Sequence, residues 1–127
     1  MKYLSETDVM VIHARIIDGT GGRHGVRELE LLRSIIHKPQ TQLSGKDMYP
    51  DIFLKAAVYL ESVASSHVFI DGNKRTSIAV AVRFLAINNY LSTCPVGEVG
   101  PFVIKAVVEK LSIIKIAHWF KHNSQKG

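Results

Sequence analysis

Apolar residues recur at helical spacing through most of the chain, and the pattern breaks where glycine, proline or asparagine interrupts it. Val9, Ile12 and Ile16 form the first stripe, spaced as one face of a helix requires. Ser5 ahead of it is a capping residue, and Asp8 stands where the partner of a capping box belongs. Asp18-Gly19-Thr20-Gly21-Gly22 then ends the pattern, with Gly25 as a further joint. A second helix is predicted over 27–37, with Leu29, Leu32, Ile35 and Ile36 on its apolar face and Pro39 as its stop. Residues 39–50 read as a loop. From Asp51 onward, Phe53, Ala56, Ala57, Leu60 and Ala64 mark a third helix. Residues 76–88 are apolar on nearly every face, which places that helix in the middle of its domain. Asn88-Asn89 closes it with residues that tolerate left-handed geometry. Beyond a loop holding Cys94, Pro95 and Gly97, two further helices fit 99–110 and 112–123. Ser112 caps the last of them, with Ile113, Ile116, Ala117 and Phe120 on one side. No period-two alternation marks a strand, short pieces within loops excepted, and no repeat or linker divides the chain. The expected fold is all-α: one domain over 1–127, a compact bundle of about six helices around a central buried helix.

Composition narrows the class without choosing a function. Of the 127 residues, 46% are hydrophobic and 21% charged, the balance of an ordinary globular protein. A single cysteine, Cys94, excludes an internal disulfide framework and a multi-cysteine zinc site, and favours a reducing cytoplasm. Residues 1–11 mix charged and apolar side chains and offer no signal core, and the apolar run 78–82 is too short to span a bilayer. The formal net charge of +5 favours an acidic partner, whether nucleic acid, nucleotide or protein.

The chemistry concentrates in His67-Val-Phe-Ile-Asp-Gly-Asn-Lys-Arg-Thr76, directly ahead of the most apolar helix. One helix ends near Ser65-Ser66 and the next begins near Asn73, so the amides of residues 72–75 fall at a helix N-terminus. Such amides lack intrahelical acceptors and carry the positive end of the helix dipole, which suits an anion. Lys74 and Arg75 stand at the wrong end for helix stability, since cations favour the C-terminus. An anion in the site would account for them. Gly72 permits close approach, and Asn73 is placed either to cap the helix or to aim its amide at an oxygen. Asp71 is a hard oxygen ligand of the kind that holds Mg2+ through one or two carboxylates. His67 carries the side chain best suited to exchange a proton near neutral pH. A base, a metal ligand and an anion cradle within nine residues point to transfer of a phosphorus group to a hydroxyl.

In this order the residues resemble the signature of the Fic/Doc (Fido) family, H-x-F-x-[DN]-G-N-[GK]-R. The form with lysine at Lys74, followed by Arg75-Thr76, is similar to the Doc, or "death on curing", branch of bacterial toxin–antitoxin pairs. Gly21-Gly22, Gly25-Val26-Arg27, Leu31-Leu32, Lys38-Pro39-Gln40, Tyr49-Pro50 and Ala56-Ala57 extend the resemblance ahead of the signature. It implies a six-to-seven-helix domain that uses a nucleoside triphosphate such as ATP with Mg2+. Most Fic proteins transfer AMP to a protein hydroxyl. Here Lys74 replaces the second small glycine of their pattern, and Ile78 stands where a second arginine would follow, so both departures count against AMP transfer. In the Doc branch the same departures accompany phosphorylation of a translation elongation factor, which stops translation. The resemblance then makes His67 the base, Asp71 the Mg2+ ligand, and Gly72, Asn73, Lys74 and Arg75 the phosphate-binding set. It also implies a cognate antitoxin as partner. The inhibitory pattern [ST]-x-x-x-E-[GN] found in some Fic proteins does not occur in this sequence, which agrees with restraint by a separate protein.

Other polar groups carry plainer readings. His13 falls on the apolar face of the first helix and reads as a core or edge histidine, with a minor claim to the site. His24, His37, His118 and His122 read as surface residues, and Lys105, Lys110, Lys115 and Lys121 as a solvated face. The run 19–25 matches neither a dinucleotide nor a P-loop pattern, and reads as a turn. Trp119 and Phe120 read as core, and Cys94 as a spectator thiol. Against the phosphotransferase stand AMP transfer by the same site, a metal-dependent nuclease built on His67, Asp71 and Asn73, and a catalytically silent binding module. Membrane and nucleic acid are the disfavoured partners.

Overall fold

Ser5 caps α1 (Glu6–Thr20) as its sequence requires: Ser5 Oγ accepts the Asp8 N–H at 3.1 Å and Asp8 returns a carboxylate oxygen to the Ser5 N–H at 2.8 Å. The computed structural model describes residues 1–94 and 98–127. Helix α1 runs through Gly19 to Thr20 instead of stopping at Asp18, and Gly21, at φ +86°, closes it by donating to Ile17 O at 2.8 Å. One interior glycine costs a helix only about 1 kcal/mol, too little to end one with a closed cap at each end.

After α2 (Leu29–His37), Pro39 sits in a single 3-10 turn, Lys38–Gln40. The stretch expected to be wholly loop then folds into a small ribbon, β1 (Gln42–Leu43) antiparallel to β2 (Lys46–Asp47). Ser44 and Gly45 both take positive φ, the backbone that a two-residue hairpin turn demands.

Helix α3 (Ile52–Ser66) starts at Asp51, whose carboxylate accepts the N–H groups of Phe53 at 2.7 Å and Leu54 at 3.2 Å. Helix α4 (Asn73–Ile87) packs against it. The centre of the bundle is this pair, and α3 is the more enclosed member. Its residues 55–60 are all buried, whereas Ile78, Ala79 and Val82 of α4 keep partial exposure and Arg83 faces solvent. Ala56, Ala57 and Ala64 keep α3 slim enough for its neighbours to close around it. Lys55 lies inside that face, only 1% exposed, with Nζ donating to Pro39 O at 2.9 Å and 3.5 Å from Asp47 Oδ2. The segment 38–47 is thereby tied to the core.

Asn89 takes φ +69° after α4, and β3 (Tyr90–Ser92) follows. It pairs antiparallel with β4 (Ser124–Lys126), a ribbon that no alternation in the sequence announces. The expected loop positions Pro95 and Gly97 lie outside the described residues. Helices α5 (Val99–Val108) and α6 (Ile113–His122) complete the bundle, the latter capped by Ser112 and buried through Ile116, Ala117 and Phe120. No helix among the described residues is long and apolar enough to cross a membrane. One hydrophobic cluster joins α1 to α6, and it includes Val68 and Phe69 from the loop between α3 and α4, both fully buried. Those two side chains anchor the polar loop that surrounds them.

Candidate active site

The loop opens at His67, the residue that ends α3 in left-handed geometry at φ +51°, ψ +38°. That conformation is uncommon for a side chain with a Cβ, and where it occurs it clusters at functional sites. It turns the chain sharply, so that Val68 and Phe69 enter the core while His67 stays exposed. A second left-handed residue, Gly72 at φ +75°, starts α4. Between these two turns, Asn73 reaches back and bonds both backbone groups of Phe69, each at 3.0 Å. Its side chain therefore braces the loop and is not aimed at an external oxygen. The contribution of Asn73 to an anion site comes through its backbone N–H.

The first hydrogen bond of α4 runs from Thr76 N–H to Gly72 O at 2.9 Å. The amides of Asn73, Lys74 and Arg75 accordingly precede the first intrahelical donor and form the positive end of the helix. Lys74 is exposed beside them. Arg75 is folded back: Nη1 donates to Thr20 Oγ1 and, at 3.0 Å, to Gly21 O, while Nη2 lies 3.6 Å from Asp71 Oδ1. Its guanidinium thus joins the end of α1 to the start of α4.

Asp71 accepts from two backbone groups, Arg23 N–H at 3.1 Å on Oδ2 and Gly72 N–H at 2.8 Å on Oδ1. These donors, Arg23 first, hold its carboxyl below the ordinary carboxylate value, and the Arg75 charge adds to the effect. The side chain is 43% exposed. Among the described residues no three histidine, cysteine or acidic side chains group to enclose a metal. What the site offers is one ionised, accessible carboxylate beside an anion cradle. That donor set fits Mg2+, which is commonly held by one or two carboxylates with phosphate and water completing the shell.

The glycine-rich segment, read as a turn, is part of this site. Arg27 N–H donates to Val68 O at 2.8 Å and Ile70 N–H to Gly25 O at 3.1 Å, forming a short antiparallel bridge between Val26 and Phe69. A Cβ on Gly22, at φ +120°, would stand 2.6 Å from Asp71 Oδ2. The density of glycines between two helices was the available signal, since a backbone needs glycine to approach another group so closely. His13 was the other under-read residue. It is 3% exposed, lies flat on Phe69 (3.8 Å between centroids, 4° between planes), and donates Nε2–H to Asp71 O at 2.7 Å. The direction is fixed because a carbonyl only accepts.

His67, Asp71, Gly72, Asn73, Lys74 and Arg75 all line one cavity of about 320 Å3. A second, of about 400 Å3, shares His67 and Lys74 with it and extends between Glu61, Val107, Lys110 and Leu111. The His67 imidazole thus stands where two openings meet. Outside the site, His24 pairs with Asp18 at 2.8 Å on the surface, and burial followed by the nearby Glu98 carboxylate pushes the Cys94 thiol up, away from a reactive thiolate.

The Fic/DOC family matches residues 3–85 of this chain, a stretch that includes the whole of this loop. The chain belongs to that family. It is 40% identical over 87 residues to Toxin Doc of Mycolicibacterium smegmatis, covering 68% of this chain and 65% of that toxin, so less than two thirds of the toxin's length is matched. It is 26% identical over 117 residues to the Protein kinase doc of Escherichia phage P1, covering 92% of this chain and 91% of the phage protein. Family membership agrees with the six-helix bundle and its short ribbons.

Proposed function

We propose that this chain is a Doc-type toxin of the cytoplasm that transfers the γ-phosphate of a nucleoside triphosphate, ATP in the first instance, to a hydroxyl of a protein target. The observation that carries this reading is a single cavity shared by an exposed imidazole, an ionised carboxylate and the amide end of α4. In it, the triphosphate rests against the amides of residues 73–75 with Lys74 alongside. Asp71 is the side chain that would hold Mg2+, and the ion, when bound, supplies charge neutralisation on the phosphate oxygens. The target enters from the second opening, and His67 takes the proton from its hydroxyl as the oxygen attacks the γ-phosphorus. One P–O bond forms to the target, the bond to the bridging oxygen breaks, and the nucleoside diphosphate leaves with the negative charge. Positioning and charge stabilisation supply most of the catalysis in such transfers.

The names of the two relatives, a toxin and a protein kinase, support the same reading. A translation elongation factor is the proposed target class, and a cognate antitoxin the proposed restraint. Incubation of the purified protein with cell lysate and ATP labelled at either the α or the γ position tests the proposal. Label passing to protein only from the γ position is expected. Label passing only from the α position would replace it with AMP transfer, and cleavage of nucleic acid without triphosphate would replace it with a nuclease. His67→Ala should lower the transfer rate by about 10²–10⁴-fold, the usual contribution of a positioned base.

A further inference from the structure

Asp71 meets the rest of the site through its carboxylate, but its own peptide is held from the other side. His13, on α1, donates Nε2–H to Asp71 O at 2.7 Å, and this carbonyl lies one residue ahead of the first helical acceptor, Gly72 O. The imidazole cannot drift, because it is buried and stacked at 3.8 Å on Phe69, which is itself fully buried. Phe69 in turn is bonded at both backbone groups by Asn73. We infer that His13 is a positioning residue, which by fixing the Asp71–Gly72 peptide sets the direction of the Asp71 carboxylate and of the first α4 amides together.

The geometry leaves few other devices for that task. Rotation of the 71–72 peptide would swing the Gly72 N–H away from Asp71 Oδ1, now 2.8 Å distant, and would leave the carboxylate held by Arg23 N–H alone, at 3.1 Å, of its two backbone donors. Gly72 at φ +75° has no Cβ to oppose such a rotation. The donor on α1 supplies the resistance that the glycine lacks. A single bond thus coordinates the metal-binding half of the site with its anion-binding half, and the inference rests on the site reading proposed above.

Two variants separate the donor from the ring. His13→Phe keeps the stacking on Phe69 and removes the N–H, whereas His13→Gln restores an N–H near the same place without the ring. The probe is a non-hydrolysable ATP analogue, titrated by calorimetry with and without Mg2+, alongside melting curves of each protein. In His13→Phe the Mg2+-dependent binding should weaken by about 10–100-fold, as when partners of metal ligands are removed. The Mg2+-independent binding should change much less, and His13→Gln should recover most of the loss. Unchanged Mg2+-dependent binding in His13→Phe, or losses in both variants that simply follow their melting temperatures, would overturn the inference. Absence of Mg2+-dependent binding in the unaltered protein would instead overturn the site reading. Amide hydrogen exchange without nucleotide then still decides the role of His13: faster exchange at Arg23 and Gly72 in His13→Phe supports it, and unchanged exchange at both refutes it.

Discussion

Asn73 and Phe69 are joined through both ends of one side-chain amide: Oδ1 accepts the Phe69 N–H and Nδ2 donates to Phe69 O, each at 3.0 Å. The pair closes residues 69–73 into a ring that cannot open without breaking two bonds. Asn73→Ala should therefore destabilise the protein by about 1–3 kcal/mol, because it leaves backbone groups of a buried residue unpaired. Asn73→Asp keeps the acceptor but sets a carboxylate oxygen against a carbonyl, and should be no better. Urea unfolding checks both. An aspartate variant as stable as the parent would show that the donor half of the ring is dispensable.

Gly22 faces Asp71 so closely that an added Cβ would lie 2.6 Å from Oδ2. Gly22→Ala also asks alanine to take φ +120°, a region that only glycine enters cheaply. The carboxylate must then move or the segment must lift. Transfer activity should fall more steeply than melting temperature, since the clash lands on the side chain proposed to hold Mg2+. An alanine variant with normal activity would remove the close approach from the account.

Lys55 is enclosed by α3 and the 38–47 segment, donating to Pro39 O and facing Asp47. Lys55→Met preserves most of its volume but orphans that carbonyl and leaves Asp47 without its cation. A loss of about 1–3 kcal/mol is expected, together with faster proteolysis within 38–47. Measured cleavage elsewhere, with 38–47 still resistant, would contradict the tie.

Tyr59 is 1% exposed, accepts the Leu4 N–H at 3.3 Å, and is pushed up to about 12 mainly by burial. Because the folded state holds its proton more tightly than the unfolded chain, its contribution is complete below the unfolded value near 10. It is lost as pH rises from there through about 12. Stability should decline across that alkaline window, and Tyr59→Phe should flatten the decline. Thermal unfolding at stepped pH measures it, and an unchanged slope in the variant would reject the assignment.

Asp71 behaves in the opposite sense. Its carboxyl is lowered below 3.8 by Arg23 N–H, Gly72 N–H and the Arg75 charge, so its stabilising interactions are complete above the unfolded value and disappear as pH falls through the lower folded one. The stability gap between the parent and Asp71→Asn should stay constant from neutrality down to about pH 4, near the unfolded value, and narrow only in stronger acid. A gap that narrows near pH 6 would mean that the carboxylate lacks those donors.

The helices were legible because their signals are local. Ser5 with Asp8, Asp51 ahead of Phe53, and Ser112 ahead of Lys115 each form the caps that their spacing implies. The ribbons were not, since Tyr90–Ser92 and Ser124–Lys126 have no alternation and are paired by tertiary placement. The candidate site was legible where it is contiguous, from His67 to Arg75, whose predicted site residues line one cavity. Its other half, Gly22, Arg23 and His13, lies about fifty residues earlier and meets Asp71 only through the fold. Lys74 and Arg75 show the limit of reading charge alone: both line the cavity, but Lys74 is exposed whereas Arg75 is bonded to Thr20 and Gly21.

His67 occupies a backbone conformation that costs an ordinary side chain about 1–2 kcal/mol and that helices most often end with glycine. Glycine at position 67 should raise the melting temperature even as it removes the proposed base. On the function proposed above, a laboratory enrichment that rewards heat resistance alone will consequently collect disarmed molecules here, and a screen that also counts the expected phosphorylated product is needed to retain the imidazole.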